Sequence, residues 1–206
     1  MILRALDAGM NLIDTANSYK AGESERVIGE TLARSGRRDE AVIATKVHYP
    51  TGPGPNDRGN SRRHIIAACD ASLRRLQTDR IDLYQLHRPD PKVSFAESVG
   101  TLSELRREGK IRHVGLSNVT QAQIAEARRI VPIASVQNRY NLVERADDPV
   151  IDYCMEHDIA FLPWGPLAAQ PFAREAPLAA TAGALAWLLR RAPNIIAIPG
   201  TTSTAH

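Results

Sequence analysis

Four ionisable side chains, Asp14, Tyr19, Lys46 and His87, fall in chain order at or just past the ends of strand-like runs, with helix-like stretches between them. The runs are Asn11-Leu12-Ile13-Asp14-Thr15-Ala16 leading to Tyr19, then Ala41-Val42-Ile43-Ala44-Thr45-Lys46, then Ile81-Asp82-Leu83-Tyr84-Gln85-Leu86-His87. Such a set suits the reduction of a carbonyl, where hydride reaches carbon and a donor must be held at the oxygen. Tyr19 is the candidate donor. A free phenol has a pKa of about 10 and needs a nearby cation before it shares its proton near neutrality. Lys46 is the candidate cation, and Asp14 its counter-charge, because an unpaired buried ammonium is costly. His87 could hydrogen-bond the same oxygen.

Taken singly, each residue has an ordinary structural explanation. Asp14 could cap a turn, Tyr19 could be a half-buried aromatic, Lys46 an exposed strand end and His87 a satisfied structural imidazole. Four suitable groups at three successive strand ends make a stronger case as a set than any one of them alone.

The elements that must position them follow a strand-helix rhythm. Apolar, β-rich runs at 11–15, 41–46, 81–87, 111–117, 134–138, 159–163 and 195–199 alternate with stretches of helical period, beginning with a helix over 2–8. Ser94 with Glu97 and Thr120 with Gln123 read as capping boxes, and Asp148-Pro149 as an N-cap followed by proline. After Ser61, the residues Ile65, Ala68, Cys69, Ser72, Leu73 and Leu76 mark one buried helix face. Gly9 and Gly109 sit where left-handed residues end helices.

Seven strands, each preceded by a helix, fit an α/β fold of the (β/α)8 TIM-barrel type, which gathers strand ends on one face. A closed barrel needs one more strand before Ile2 and one more helix after Thr204, so the expected form is incomplete, its first strand and last helix missing. A doubly wound open sheet would carry a Gly-rich turn after its first strand, and Asp14-Thr15-Ala16-Asn17-Ser18-Tyr19 contains none. The long connections Tyr49 to Asn60 and Gly165 to Pro177 are expected to shape the catalytic face, with His48, Tyr49, Arg88 and Phe172 near a modest pocket.

Composition narrows the classes further. With 206 residues, 43% of them apolar, the chain can bury the core of one domain spanning 1–206. Its formal charge is +3, and the pairs Arg74-Arg75, Arg106-Arg107, Arg128-Arg129 and Arg190-Arg191 read as solvated helix faces, not a nucleic-acid footprint. Cys69 and Cys154 fall on apolar stripes and are expected to be buried thiols, consistent with a reducing cytoplasm. No apolar run is long enough to span a bilayer, so a soluble, cytoplasmic protein is expected. The six histidines are scattered without His-x-His or His-Glu-x-x-His spacing, which gives a metal-dependent hydrolase little support.

The wording around these residues is similar to a known family. Gly9-Met10-Asn11-Leu12-Ile13-Asp14-Thr15-Ala16, then Tyr19 and Gly22-Glu23-Ser24-Glu25, resembles the first signature of the aldo-keto reductases. Ala44-Thr45-Lys46, Asp82 to His87, Gly115-Leu116-Ser117-Asn118 and Val136-Gln137-Asn138-Arg139-Tyr140-Asn141 resemble its later strand ends. Pro163-Trp164-Gly165-Pro166-Leu167 is nearest to the bacterial variety. The resemblance implies a catalytic tetrad of Asp14, Tyr19, Lys46 and His87. It places Ser117, Asn118 and Gln137 on the nicotinamide carboxamide, Trp164 under the nicotinamide ring with Gly165, Pro166 and Leu167 beside it, and Pro199, Gly200, Thr201 and Thr202 at the cofactor's phosphates. The implied activity is reduction of a small aldehyde or ketone with NADPH, NADH not being excluded. The alternative it leaves is a truncated, catalytically impaired remnant or cofactor-binding module of the same fold.

Overall fold

Short runs rich in Ile, Val and Leu, each followed by a segment of helical period, favour strands buried on both faces. The computed structural model describes residues 1–54, 57–167 and 178–200. Strands β1 (Leu12–Asp14), β2 (Val42–Val47), β3 (Ile81–Leu86), β4 (Ile111–Ser117), β5 (Ile133–Gln137) and β6 (Ala160–Phe161) form one parallel sheet in chain order. The helices are α1 (Ile2–Asp7), α2 (Glu23–Ser35), α3 (Arg62–Leu76), α4 (Phe95–Arg107), α5 (Gln121–Arg128), α6 (Asp148–Glu156) and α7 (Leu178–Arg191). Each strand pairs with the next in sequence, whereas a doubly wound sheet would reverse its order at a switch point. The fold is an incomplete (β/α)8 barrel.

The seventh expected strand, 195–199, is a correction. Only Ile195 bridges to Phe161, with Phe161 N–H donating to Asn194 O at 2.8 Å and Ile196 N–H to Phe161 O at 2.9 Å. The ladder stops there because β6 is two residues long and Pro163 has no amide to extend it.

Local signals fix most helix ends. Ser61 accepts from His64 N–H and Ser94 from Glu97 N–H, while Thr120 and Gln123 form a full capping box. The α6 start differs by one residue from expectation: Asp147 is the N-cap position, without a side-chain bond. Asp148 instead accepts from the Tyr140 hydroxyl at 2.6 Å and from Arg191 Nε at 2.7 Å. Gly9 and Gly109 adopt φ of 82° and 78°, the left-handed region expected of them.

Alternation along the strands divides the core. Ile43, Val47, Tyr84, Leu86, Val114, Leu116 and Val136 join Ile65, Leu102, Ile124 and Ile151 in the large cluster between sheet and helices. Ala44, Leu83 and Leu162, with Leu12, Ala134 and Ala160, form a small cluster on the opposite, barrel-interior face. Cys69 and Cys154 are free and buried in the outer layer, and burial pushes each thiol up to about 12. Among the described residues no helix is long and apolar enough to cross a membrane.

Candidate active site

Asp14 ends β1 and Lys46 lies one residue before the end of β2, so both side chains enter the barrel at its carboxyl end. Lys46 is fully buried, and its Nζ donates to Asp14 Oδ2 at 2.7 Å and to Thr15 O at 2.8 Å. Asp14 Oδ1 accepts from Gln137 Nε2 at 3.0 Å and, more loosely, from Gln85 Nε2 at 3.4 Å. One carboxylate thus gathers side chains from β2, β3 and β5. Lys46, Gln85, Gly115 and Ser135 are successive register partners, which sets them at one level of the sheet. Gly115 makes that level possible: a Cβ there would come within 2.6 Å of Ser135 Oγ and 2.7 Å of Gln85 Cγ.

Tyr19 is carried by a short 3-10 segment, Tyr19–Gly22, with unusual backbone geometry. Lys20, Ala21 and Gly22 are all left-handed, at φ of 48°, 54° and 92°. For a residue with a Cβ that conformation costs roughly 1–2 kcal/mol and persists only where its surroundings enforce it. The ring of Tyr19 lies with its centroid 5.2 Å from Lys46 Nζ and meets His87 edge-on at 6.1 Å. Tyr49 also meets the imidazole edge-on, at 4.6 Å, and His48 follows at 5.0 Å from Tyr49.

Burial first, and then the charges of Lys46, His48 and Arg88, lower the His87 pKa to about 3. The ring is therefore neutral at ordinary pH, one nitrogen donating and the other accepting. Its Nδ1 is buried without a partner among the described residues, as are both amide atoms of Asn17, Gln85 Oε1 and Ser135 Oγ. Buried polar groups are nearly always paired, so this cluster at the carboxyl end of the sheet is unusual.

The remaining expected contacts form an adjoining group. Ser117 and Gln137 are register partners at the ends of β4 and β5, both buried. Asn118 adopts φ of 55°, and its Nδ2 donates to His87 O at 2.9 Å and to Ser117 Oγ at 3.0 Å. Its Oδ1 accepts from Trp164 Nε1 at 3.1 Å. Among the described contacts, this leaves the Ser117 hydroxyl proton, one Gln137 N–H with its Oε1, and one Asn118 lone pair. A ligand amide, which offers donors and an acceptor together, fits that remaining set. One Trp164 contact is already made, as Arg139 lies 5.2 Å from the ring centroid. Gly165 (φ 64°) accepts from Asn141 Nδ2 at 3.0 Å, with Pro166 and Leu167 half-buried after it. Pro199 and Gly200 are exposed at the end of the last described segment, and Thr201, Thr202 and Phe172 lie outside the described residues.

A cleft of about 670 Å³ opens between the loops after β2 and β3, lined by His48, Tyr49, Arg58, Asn60, Asp90 and Val93, among others. None of Asp14, Tyr19, Lys46 and His87 lines it, and it adjoins them only through Tyr49, whose ring meets His87. Sequence reasoning misses Gln85, although it shares a strand face with His87 two residues on. It also misses the orphaned Asn17, for which no pattern in the sequence gives a signal. Two arginines read as solvated are not. Arg75 pairs with the fully buried Glu25 at 2.7 Å, and Arg191 with Asp148 and Asp152 at 2.7 and 2.8 Å.

Comparison with known proteins bears on the whole arrangement. The profile of the Aldo/keto reductase family matches residues 1–177. An uncharacterised oxidoreductase of Schizosaccharomyces pombe is 37% identical over 214 residues, covering 98% of this chain and 69% of that protein. Pyridoxine 4-dehydrogenase of Escherichia coli is 37% identical over 223 residues, covering 100% of this chain and 77% of its own. The aldo-keto reductase YhdN of Bacillus subtilis is 40% identical, but the match spans only 50% of its length. Among solved structures, a thermostable aldo-keto reductase crystallised with the inhibitor epalrestat superposes with a TM-score of 0.83 at 29% identity, over 98% of this chain and 76% of that one. The glycerol dehydrogenase of Gluconobacter oxydans does so at 0.84 and 29%, over 97% and 74%. A parallel barrel whose sequential strands bring a lysine–aspartate pair beneath a tyrosine, together with a profile match over most of its length, places this chain in the aldo/keto reductase family of oxidoreductases.

Proposed function

We propose that the chain reduces aldehyde or ketone carbonyls to alcohols with NADPH, and that Tyr19 gives the proton. The observation that carries this reading is the buried Lys46 ammonium, held by Asp14 and Thr15 O and lying 5.2 Å from the Tyr19 ring centroid. An ammonium has three donors, so these two bonds leave one N–H for the phenol side. As the carbonyl oxygen gains negative charge, Tyr19 passes its proton to it, and Lys46 stabilises the phenolate left behind. Asp14 keeps the ammonium in place and compensates its burial. The neutral His87 donates a hydrogen bond to the same oxygen and orients it, without acting as an acid itself. Ser117, Asn118 and Gln137 hold the carboxamide of the nicotinamide through the donors and acceptors left open to them. The nicotinamide supplies the hydride. NADPH over NADH, and the roles of Trp164, Gly165, Pro166, Leu167, Pro199, Gly200, Thr201 and Thr202 around the cofactor, rest on the family resemblance.

Relatives named as a pyridoxine dehydrogenase and a glycerol dehydrogenase support an alcohol–carbonyl pair in a small polar molecule. The test is loss of NADPH absorbance with a panel of aldehydes. Tyr19→Phe should lower turnover about 10²–10⁴-fold, and undiminished turnover would remove Tyr19 from the mechanism. Cofactor fluorescence distinguishes the other outcome, since binding without turnover would make the chain a cofactor-binding module.

A further inference from the structure

The two residues that carry the ion pair are each mounted beside a threonine. Thr15 follows Asp14 and Thr45 precedes Lys46, and because strand side chains alternate, the charged groups point into the barrel while both threonines point out toward α2. There the first turn of α2 meets them. The Thr15 hydroxyl bonds Ser24 Oγ at 2.7 Å, and the Thr45 hydroxyl donates to Glu25 Oε1 at 2.6 Å. Glu25 is fully buried, and its other oxygen accepts from Arg75 Nε at 2.7 Å, tying the turn to α3. Arg75 reaches it across Gly22, where a Cβ would lie 2.7 Å from the Arg75 side chain. Deeper in the same crossing, a Cβ on Gly29 would lie 2.4 Å from Arg75 O, so α2 is seated tightly on α3.

These contacts have a common consequence. The left-handed stretch Lys20–Ala21–Gly22 that carries Tyr19 runs between Thr15 and Glu25, so its two ends are fixed by the same turn that fixes the backbone under Asp14 and Lys46. We propose that Ser24 and Glu25 are positioning residues: through Thr15 and Thr45 they hold Asp14, Lys46 and Tyr19 in register with one another. This rests on the reductase reading for its effect on turnover, but its geometric content does not require turnover to be observed.

The test reads Tyr19 directly. Near-ultraviolet phenolate absorbance is followed as pH is raised, as the difference between each protein and the same protein carrying Tyr19→Phe, alongside kcat and KM for NADPH-dependent reduction. The charged and titratable groups facing Tyr19 are Lys46 and Asp14 below it, His87 and Tyr49 at the end of β3 and in the loop after β2, and Lys20 next in sequence. Of these only the Lys46 distance should change in Thr45→Val, which removes the bond to Glu25 and keeps the side-chain shape. With the ammonium displaced, phenolate should develop at a higher pH than in the parent. kcat should fall by about ten- to a hundredfold with KM for NADPH nearly unchanged, as for a small misalignment of reacting groups. Glu25→Gln should shift both in the same direction, and Glu25→Asp should restore part of each. If Glu25→Gln fails to fold, Thr45→Val decides. A folded Thr45→Val protein with an unchanged phenolate midpoint overturns the proposal. A shifted midpoint in a protein with no carbonyl turnover would support the positioning role while removing the reductase reading.

Discussion

Buried carboxylates paired with cations occur at both ends of this barrel, and they differ in what remains unfilled around them. At the amino end of β3, Asp82 accepts from Arg38 Nη2 at 2.7 Å, Arg112 Nη1 at 3.1 Å and the Ile43 amide at 2.9 Å. Arg38 also donates to Ala41 O, Arg80 O and Thr78 Oγ1. That assembly rivets β2, β3 and β4 together, and Arg80 Nε is the one orphaned atom among these residues. At the carboxyl end, Asp14 and Lys46 are paired as closely, but Asn17, Gln85, Ser135 and His87 all leave buried polar atoms unmatched nearby. A paired charge alone therefore does not distinguish a site from a rivet. Unused hydrogen-bonding capacity beside the pair does, because a group with an open valence can bind or exchange a proton with something else.

The contrast is most sharply broken by removing the cation at the rim. Lys46→Met leaves Asp14 facing the interior without its ammonium, and the loss of electrostatic support should lower carbonyl reduction about a thousandfold. Breaking a buried pair also costs stability, about 3–5 kcal/mol in typical cases. Steady-state kinetics on the folded fraction and urea unfolding measure the two effects separately. Retained turnover would show that the rim pair is as structural as its counterpart.

The opposite end should give the complementary result. Asp82→Asn keeps the shape of the side chain but leaves two arginines without their carboxylate, a loss of about 1–3 kcal/mol in stability. kcat and KM of the folded protein should be unchanged, since Asp82 and His87 lie at opposite ends of the β3 segment. A rate loss exceeding about tenfold in Asp82→Asn would mean that the two ends are coupled and that the division into rivet and site is wrong.

How much of this can be read from the sequence follows from which interactions are local. The first five strands and their ends are legible, because a β-rich run closed by turn residues carries its own signal, whereas the run 195–199 forms only one bridge. The amino-acid order alone therefore brings Asp14, Lys46 and His87 to one rim. Cap residues are legible for the same reason, with Asp148 displaced by one position because Tyr140 and Arg191 compete for its carboxylate. Register is not legible. The Asp14–Gln137 bond joins residues 123 apart in sequence, and nothing local specifies that length or angle. The Glu25–Arg75 pair is hidden because a charged residue on a helix is ordinarily solvated. Only the close approach that Gly22 and Gly29 permit brings the two into contact.

A further expected effect separates the rim from the rivet by pH. Folded His87 takes up a proton only near pH 3, whereas an imidazole in the unfolded chain does so below about 6.5. Between those values the unfolded state holds more protons, so stability rises with pH across the window. The contribution is complete above about 6.5 and is lost as pH falls toward 3. His87→Gln removes this titration while keeping a polar side chain. Urea midpoints measured at several pH values should therefore fall less steeply on acidification in the variant than in the parent. The Asp82 assembly contains no histidine, so Asp82→Asn should leave the His87 part of that slope in place. Identical slopes in His87→Gln and the parent would mean that the imidazole is solvated enough to carry charge, and then a cationic His87 could itself compete with Tyr19 as the proton donor.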